Sequence, residues 1–146
     1  MEEKSKQYKL EKLKSLSDLE ALIMLYDETT SALEESKKYF EEKDIEKFES
    51  KIDWAKKIIE GLGGILNFEA DVKLAGNLYK IYDYLLRRLT VAREGIRQTQ
   101  NIINECLKII SSMRDAWLKV RQKGDITKDF TRYLTSEEKN FLNLEI

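Results

Sequence analysis

Ile45, Phe48, Ile52, Ala55, Ile59, Leu62 and Leu66 succeed one another at steps of three and four residues without a miss. That spacing keeps every apolar side chain on one stripe of an α-helix, whereas a strand would scatter the same residues over both faces. The stripe therefore constrains the segment to a helix that buries one side. No proline interrupts any of the 146 residues, so nothing in the chain forces a helix to break. The same rhythm recurs on either side. Leu19, Leu22, Tyr26, Leu33 and Phe40, widened by Ile23 and Leu25, mark an earlier helix expected to run to about Lys43. Ala75, Leu78, Tyr82, Leu85, Leu89 and Ala92 mark a third, and Ile96, Thr99, Ile103, Cys106, Ile110, Met113, Trp117 and Val120 a fourth.

The punctuation agrees. Ser17-Asp18-Leu19-Glu20 has the form of a capping box, in which the Ser17 hydroxyl and the Glu20 carboxylate each satisfy the other's backbone amide. A helix is expected to start there. Gly61, Gly63 and Gly64 near the end of the second helix predict fraying or a close backbone approach. Short connections force neighbouring helices to be antiparallel, because a few residues cannot travel the length of a bundle. The expected fold is all-α: an antiparallel up-down four-helix bundle over residues 17–123, preceded by a short N-terminal lid helix in 1–16 and followed by a C-terminal tail, 124–146. Ile126, Phe130, Tyr133 and Leu134 make that tail more apolar than a plain solvated linker.

Composition narrows function by exclusion. The chain has no histidine, which removes the usual general base and the Glu-x-x-His ligands of di-iron bundles. Its single cysteine, Cys106, falls on the fourth seam, where a thiol packs as a small hydrophobe. There is no Gly-rich phosphate loop, and no nucleophile with an identifiable base. The sequence reading is of a non-enzyme with no metal and no cofactor. Net charge is −1, with acids and bases interleaved, which disfavours nucleic acid as a partner. Arg87, Arg88, Arg93 and Arg97 sit among Asp83 and Glu94, a setting for local ion pairs. Neither a signal-peptide core nor a stretch of roughly 20 apolar residues is present, so a cytoplasmic protein without membrane insertion is expected.

The helices carry more apolar residues than the roughly three in seven that seal a bundle core. Trp54, Ile58 and Ile65 on the second helix, Leu74, Tyr79, Ile81, Tyr84 and Leu86 on the third, and Ile102, Leu107 and Ile109 on the fourth lie beside the seams. The surplus predicts a partner, a homodimer contact, or cover by lid and tail. Wide stripes around a thick core are the plainer alternative.

Leu22-Ile23-Met24-Leu25-Tyr26-Asp27 and Leu74-Ala75-Gly76-Asn77-Leu78-Tyr79-Lys80-Ile81-Tyr82-Asp83-Tyr84 resemble the two most recognisable stretches of the FliS family of flagellin-specific export chaperones. Supporting pieces fall in the same order: Tyr8, Ser17, Ile58-Ile59 with Leu62, Leu66-Asn67-Phe68-Glu69, Arg87-Arg88-Leu89 and Ala116-Trp117. The resemblance spans roughly residues 8 to 121. The sequence departs from the family pattern at Asp18, where Pro is usual, at Glu28 in place of Gly, at Asp71-Val72 in place of Gly-Gly, and at Arg93 in place of Asn. The resemblance implies a cytosolic bundle that binds the C-terminal segment of flagellin, prevents premature polymerisation, and delivers the subunit to the flagellar export gate. With the flank surplus it points to client contacts at Tyr8, Leu22, Tyr26, Ile58, Ile65, Leu66, Asn77, Tyr79, Tyr82 and Leu86. A helical adaptor binding some other amphipathic helix is the alternative.

Overall fold

A computed structural model of the protein describes residues 18–65 and 72–123. Four helices fill these two stretches: α1 (Asp18–Glu41), α2 (Ile45–Ile65), α3 (Val72–Ala92) and α4 (Thr99–Lys123). Each helix packs against two neighbours in the cyclic order α1, α2, α3, α4, so α1 faces α3 across the diagonal. The cross-helix polar contacts fix the directions. Lys51 meets Glu35 at 2.9 Å and Trp54 Nε1 donates to Glu28 at 3.0 Å, so the partner on α1 moves backward as α2 advances. Arg93, just past α3, bonds Asp53 at 2.7 and 3.0 Å, Arg88 bonds Glu105 at 3.0 Å, and the Arg114 guanidinium lies on the Asp27 carboxylate. Every neighbouring pair is antiparallel, as the up-down topology requires.

The seams become the core. Leu33, Ile52, Leu62, Leu85, Leu89, Ile103, Cys106 and Ile110 are fully enclosed. At 25 cal/mol per Å² of apolar surface, burying each such side chain contributes roughly 1.5–3 kcal/mol. Two seam positions depart from expectation. Ile45, the first residue of α2, is 51% exposed, because at a helix's first position there is no preceding turn to continue the seam. Ile96 is exposed and lies outside any helix: α4 starts at Thr99, three residues later than its pattern suggests.

The connections explain both boundaries. α1 stops at Glu41 because Lys43 adopts the left-handed conformation (φ 62°), with the Lys43 amide on the Phe40 carbonyl and the Asp44 amide on the Tyr39 carbonyl. Those paired bonds are a Schellman closure, made here without the usual glycine. Asp44 then caps α2, its Oδ1 accepting from the Lys47 amide at 3.2 Å. Between α3 and α4, Gly95 takes the left-handed conformation (φ 66°) against the Phe40 ring, and Thr99 Oγ1 donates back to the Ala92 carbonyl at 3.0 Å. Proline-free sequence alone did not reveal this stop.

α2 continues helically through Gly61, Gly63 and Gly64 to Ile65. A methyl group on Gly61 would meet nothing within 4 Å, so no close approach explains that glycine. The expected lid in 1–16, the tail in 124–146, the Ser17 cap and the connection around Asn67 lie outside the described residues.

Candidate functional site

Antiparallel packing carries the sequence-derived site residues to one end of the bundle. Leu22 and Tyr26 come from the first half of α1, Ile58 from the second half of α2, and Asn77, Tyr79 and Tyr82 from the first half of α3. Leu86 lies a turn further along α3, and Ile65 is the last residue of α2. Tyr8 and Leu66 lie outside the described residues. The second half of α4, from Ile110 to Lys123, completes this end.

Sharing an end does not put these residues on one surface. Leu22, Tyr26 and Tyr82 belong to the contiguous core, where their seam spacing places them. Ile58 is buried too, yet it stands apart from that core cluster. Asn77 is 9% exposed, Leu86 is half-buried against the core, and Tyr79 is 62% exposed. Most of the flank surplus is absorbed in the same way. Ile102 and Ile109 are buried, while Trp54, Leu74, Ile81 and Leu107 are half-buried against the core; Tyr84 joins Tyr79 in facing water. Among the flank residues whose side chains are described, wide stripes around a thick core account for all but those two tyrosines.

At the centre of this end three polar groups meet inside apolar surroundings. Trp117 Nε1 donates to the Tyr26 hydroxyl at 3.1 Å, and the Tyr26 and Tyr82 hydroxyls lie 2.7 Å apart. Burial, with Tyr82 as a neighbour, raises the Tyr26 hydroxyl well above its ordinary pKa, and burial pushes Tyr82 up to about 12. Neither is a base at neutral pH. In the sequence Trp117 stands on the fourth seam and in the family pair Ala116-Trp117; its indole N–H, which needs a partner when buried, is the signal of a polar role.

Charge is organised in pairs. Arg93 grips Asp53 with two nitrogens and reaches Glu49 at 3.4 Å. Arg87 pairs with Asp83 one turn away, as the local spacing suggests, whereas Arg88 and Arg93 pair across helices. A shallow cleft of about 330 Å³ over Trp54 is lined by these same paired groups with Glu46 and Lys57. Burial pushes the Cys106 thiol up to about 12, so it is a packing residue in the folded chain. Among the described residues no group of three or more His, Cys, Asp or Glu is placed to hold a metal ion, and no helix is long and apolar enough to cross a membrane.

The comparisons with known proteins converge. The model of the family described as "Flagellar protein FliS" matches residues 1–124. A relative named flagellar secretion chaperone FliS, from Salmonella typhimurium strain LT2, is 31% identical over 111 residues, covering 75% of this chain and 81% of the relative. No solved structure matches the chain. A match over most of the length, together with an all-helical bundle carrying the recognised stretches on α1 and α3, establishes that this chain belongs to the FliS family of flagellar proteins.

Proposed function

We propose that this protein is a cytoplasmic flagellar secretion chaperone that holds the C-terminal segment of flagellin and keeps the subunit from polymerising before export. The observation that carries this reading is the family match over residues 1–124, with a relative named as a flagellar secretion chaperone. The physical chemistry is consistent with it. A disordered amphipathic segment folds on binding by laying apolar anchors, three and four residues apart, along a helical surface. Leu22, Ile58, Asn77 and Tyr79 share one end of the bundle, where Tyr79 is exposed and the other three are buried, so a client anchored there would engage the Tyr79 edge first. Tyr8 and Leu66 are assigned to the same proposed surface by family resemblance, and Ile65 by the apolar surplus beside the second seam. A charge on Ile58, as in Ile58→Asp, separates two roles for this residue: weakened client binding with the fold intact places it at the surface, and unfolding places it in the core. Delivery to the export gate follows from the same reading.

The test is direct. Equimolar protein should suppress filament assembly from purified flagellin monomers, and a flagellin lacking its C-terminal segment should no longer associate. Assembly at the same rate with and without the protein would remove flagellin as its client.

A further inference from the structure

Among the described residues two buried side-chain atoms lack a hydrogen-bond partner, Asn77 Nδ2 and Gln100 Oε1; the Gln100 side chain still reaches the Lys37 carbonyl through Nε2 at 3.4 Å, and the buried hydroxyls satisfy themselves locally. Thr29 donates to the Leu25 carbonyl at 2.8 Å, Ser36 to Leu33 at 2.6 Å and Thr99 to Ala92 at 3.0 Å. Asn77 is 9% exposed, and its side-chain Nδ2 is buried without a hydrogen-bond acceptor among the described residues. A primary amide brings two N–H donors, and an unsatisfied buried donor opposes folding. An apolar residue of the same size would serve the free protein better.

Its position is defined by its neighbours. Asn77 precedes Ile81, Tyr84 and Arg88 by four, seven and eleven residues, which places all four on one flank of α3. Tyr84 and Arg88 both bond Glu105, so that flank faces α4. Seven residues back along α3 corresponds, in an antiparallel pair, to seven onward along α4, beside half-buried Ser112 and between buried Ile109 and Ala116. The orphan amide thus sits in the α3–α4 seam, at the end of the bundle where the candidate client contacts gather.

We infer that Asn77 is the polar anchor of the client surface: when the client binds, the seam parts locally and the Asn77 amide donates to a main-chain carbonyl of the bound segment. The inference rests on the reading of the protein as a flagellin-binding chaperone. A main-chain carbonyl is the acceptor because the face an amphipathic segment buries carries few polar side chains. Every residue carries a carbonyl, and those in the last turn of a helix or in an extended stretch have no partner of their own. The hydrogen bond then exists only in the complex, and the free protein bears the orphan.

Asn77→Leu keeps the volume and removes both donors. The thermal midpoint of the free protein should rise by about 2–4 °C, while affinity for the flagellin C-terminal segment should fall about tenfold. A lower midpoint would mean that the amide is already satisfied in the free protein, and overturns the inference; so does unchanged affinity. The full chain, labelled with ¹⁵N, gives a second readout without substitution. On adding the segment, the Asn77 side-chain amide signals should move downfield and become protected from exchange, and signals that stay in place overturn the inference. Wild-type protein that fails to bind the segment would remove the chaperone reading and this inference together, whereas wild type and Asn77→Leu binding equally would remove the inference alone.

Discussion

Tyr26 and Tyr82 meet hydroxyl to hydroxyl at 2.7 Å across the diagonal of the bundle, joining helices α1 and α3, which face each other across the core. Trp117 on α4 donates into the same point, so three of the four helices are tied by one buried polar cluster. The donor inventory is uneven. One indole N–H and two hydroxyl protons share two hydrogen bonds, which leaves one proton over whichever tyrosine donates. Tyr26 is the hub, since it takes part in both bonds.

The hub position makes the two tyrosines unequal. Tyr26→Phe removes both hydrogen bonds of the cluster, from Trp117 Nε1 and with the Tyr82 hydroxyl, and should destabilise by about 2–3 kcal/mol. Tyr82→Phe loses one bond and leaves one spare proton, as in the wild type, so about 1 kcal/mol is expected. The double variant loses the same two hydrogen bonds and leaves no buried tyrosine hydroxyl behind. Its cost should therefore be no greater than that of Tyr26→Phe alone, a non-additivity that urea unfolding of the four proteins measures. Additive losses would mean that the cluster is not a unit.

Alkaline pH should loosen the fold. Tyr26 and Tyr82 have pKa values raised by burial from about 10, and Cys106 is pushed from 9.0 to about 12. A group whose folded pKa is raised stabilises fully below its unfolded pKa, and that stability is lost as pH rises through the folded value. The chain has no histidine to titrate between pH 6 and 8. Denaturation midpoints should stay level from about pH 6 to 9 and fall from there towards pH 12. Cys106→Ala should delay the onset of that fall, and Tyr82→Phe should make it shallower.

Two left-handed residues, at the two described connections, call for opposite substitutions. Lys43 holds φ 62° with a full side chain, so Lys43→Gly should stabilise by about 0.5–1 kcal/mol even though it adds freedom to the unfolded chain. Gly95 holds φ 66° where a Cβ is strained, so Gly95→Ala should cost about 1 kcal/mol or more. Thermal unfolding of both variants checks the pair, and equal shifts of one sign would contradict this account of the turns.

What could be read from the sequence follows from how local each interaction is. Seam periodicity located four helices, because burial along one stripe is a property of neighbours three and four residues apart. The same periodicity overreached at Ile45 and Ile96, where the rhythm continues past the point at which a neighbouring helix is present to cover it. The family resemblance points to Tyr26 and Tyr82 as client contacts, and the fold puts both in the core beside Trp117. Glu28 and Arg93 stand where the family pattern has other residues, and each forms a cross-helix bond to α2, Glu28 to Trp54 and Arg93 to Asp53. Such pairings join residues 26 and 40 positions apart, and no local pattern announces them. Asn77 was recognisable as a family letter, but its missing acceptor emerges only from the packed bundle.

Isothermal calorimetry of the full-length protein with the flagellin C-terminal segment tests the central claim most directly. Binding should be 1:1, with a heat-capacity change that is clearly negative, because coupled folding of the segment buries apolar surface. No detectable heat at any temperature, with both components at tens of micromolar, would contradict the assignment of flagellin as the client of this protein.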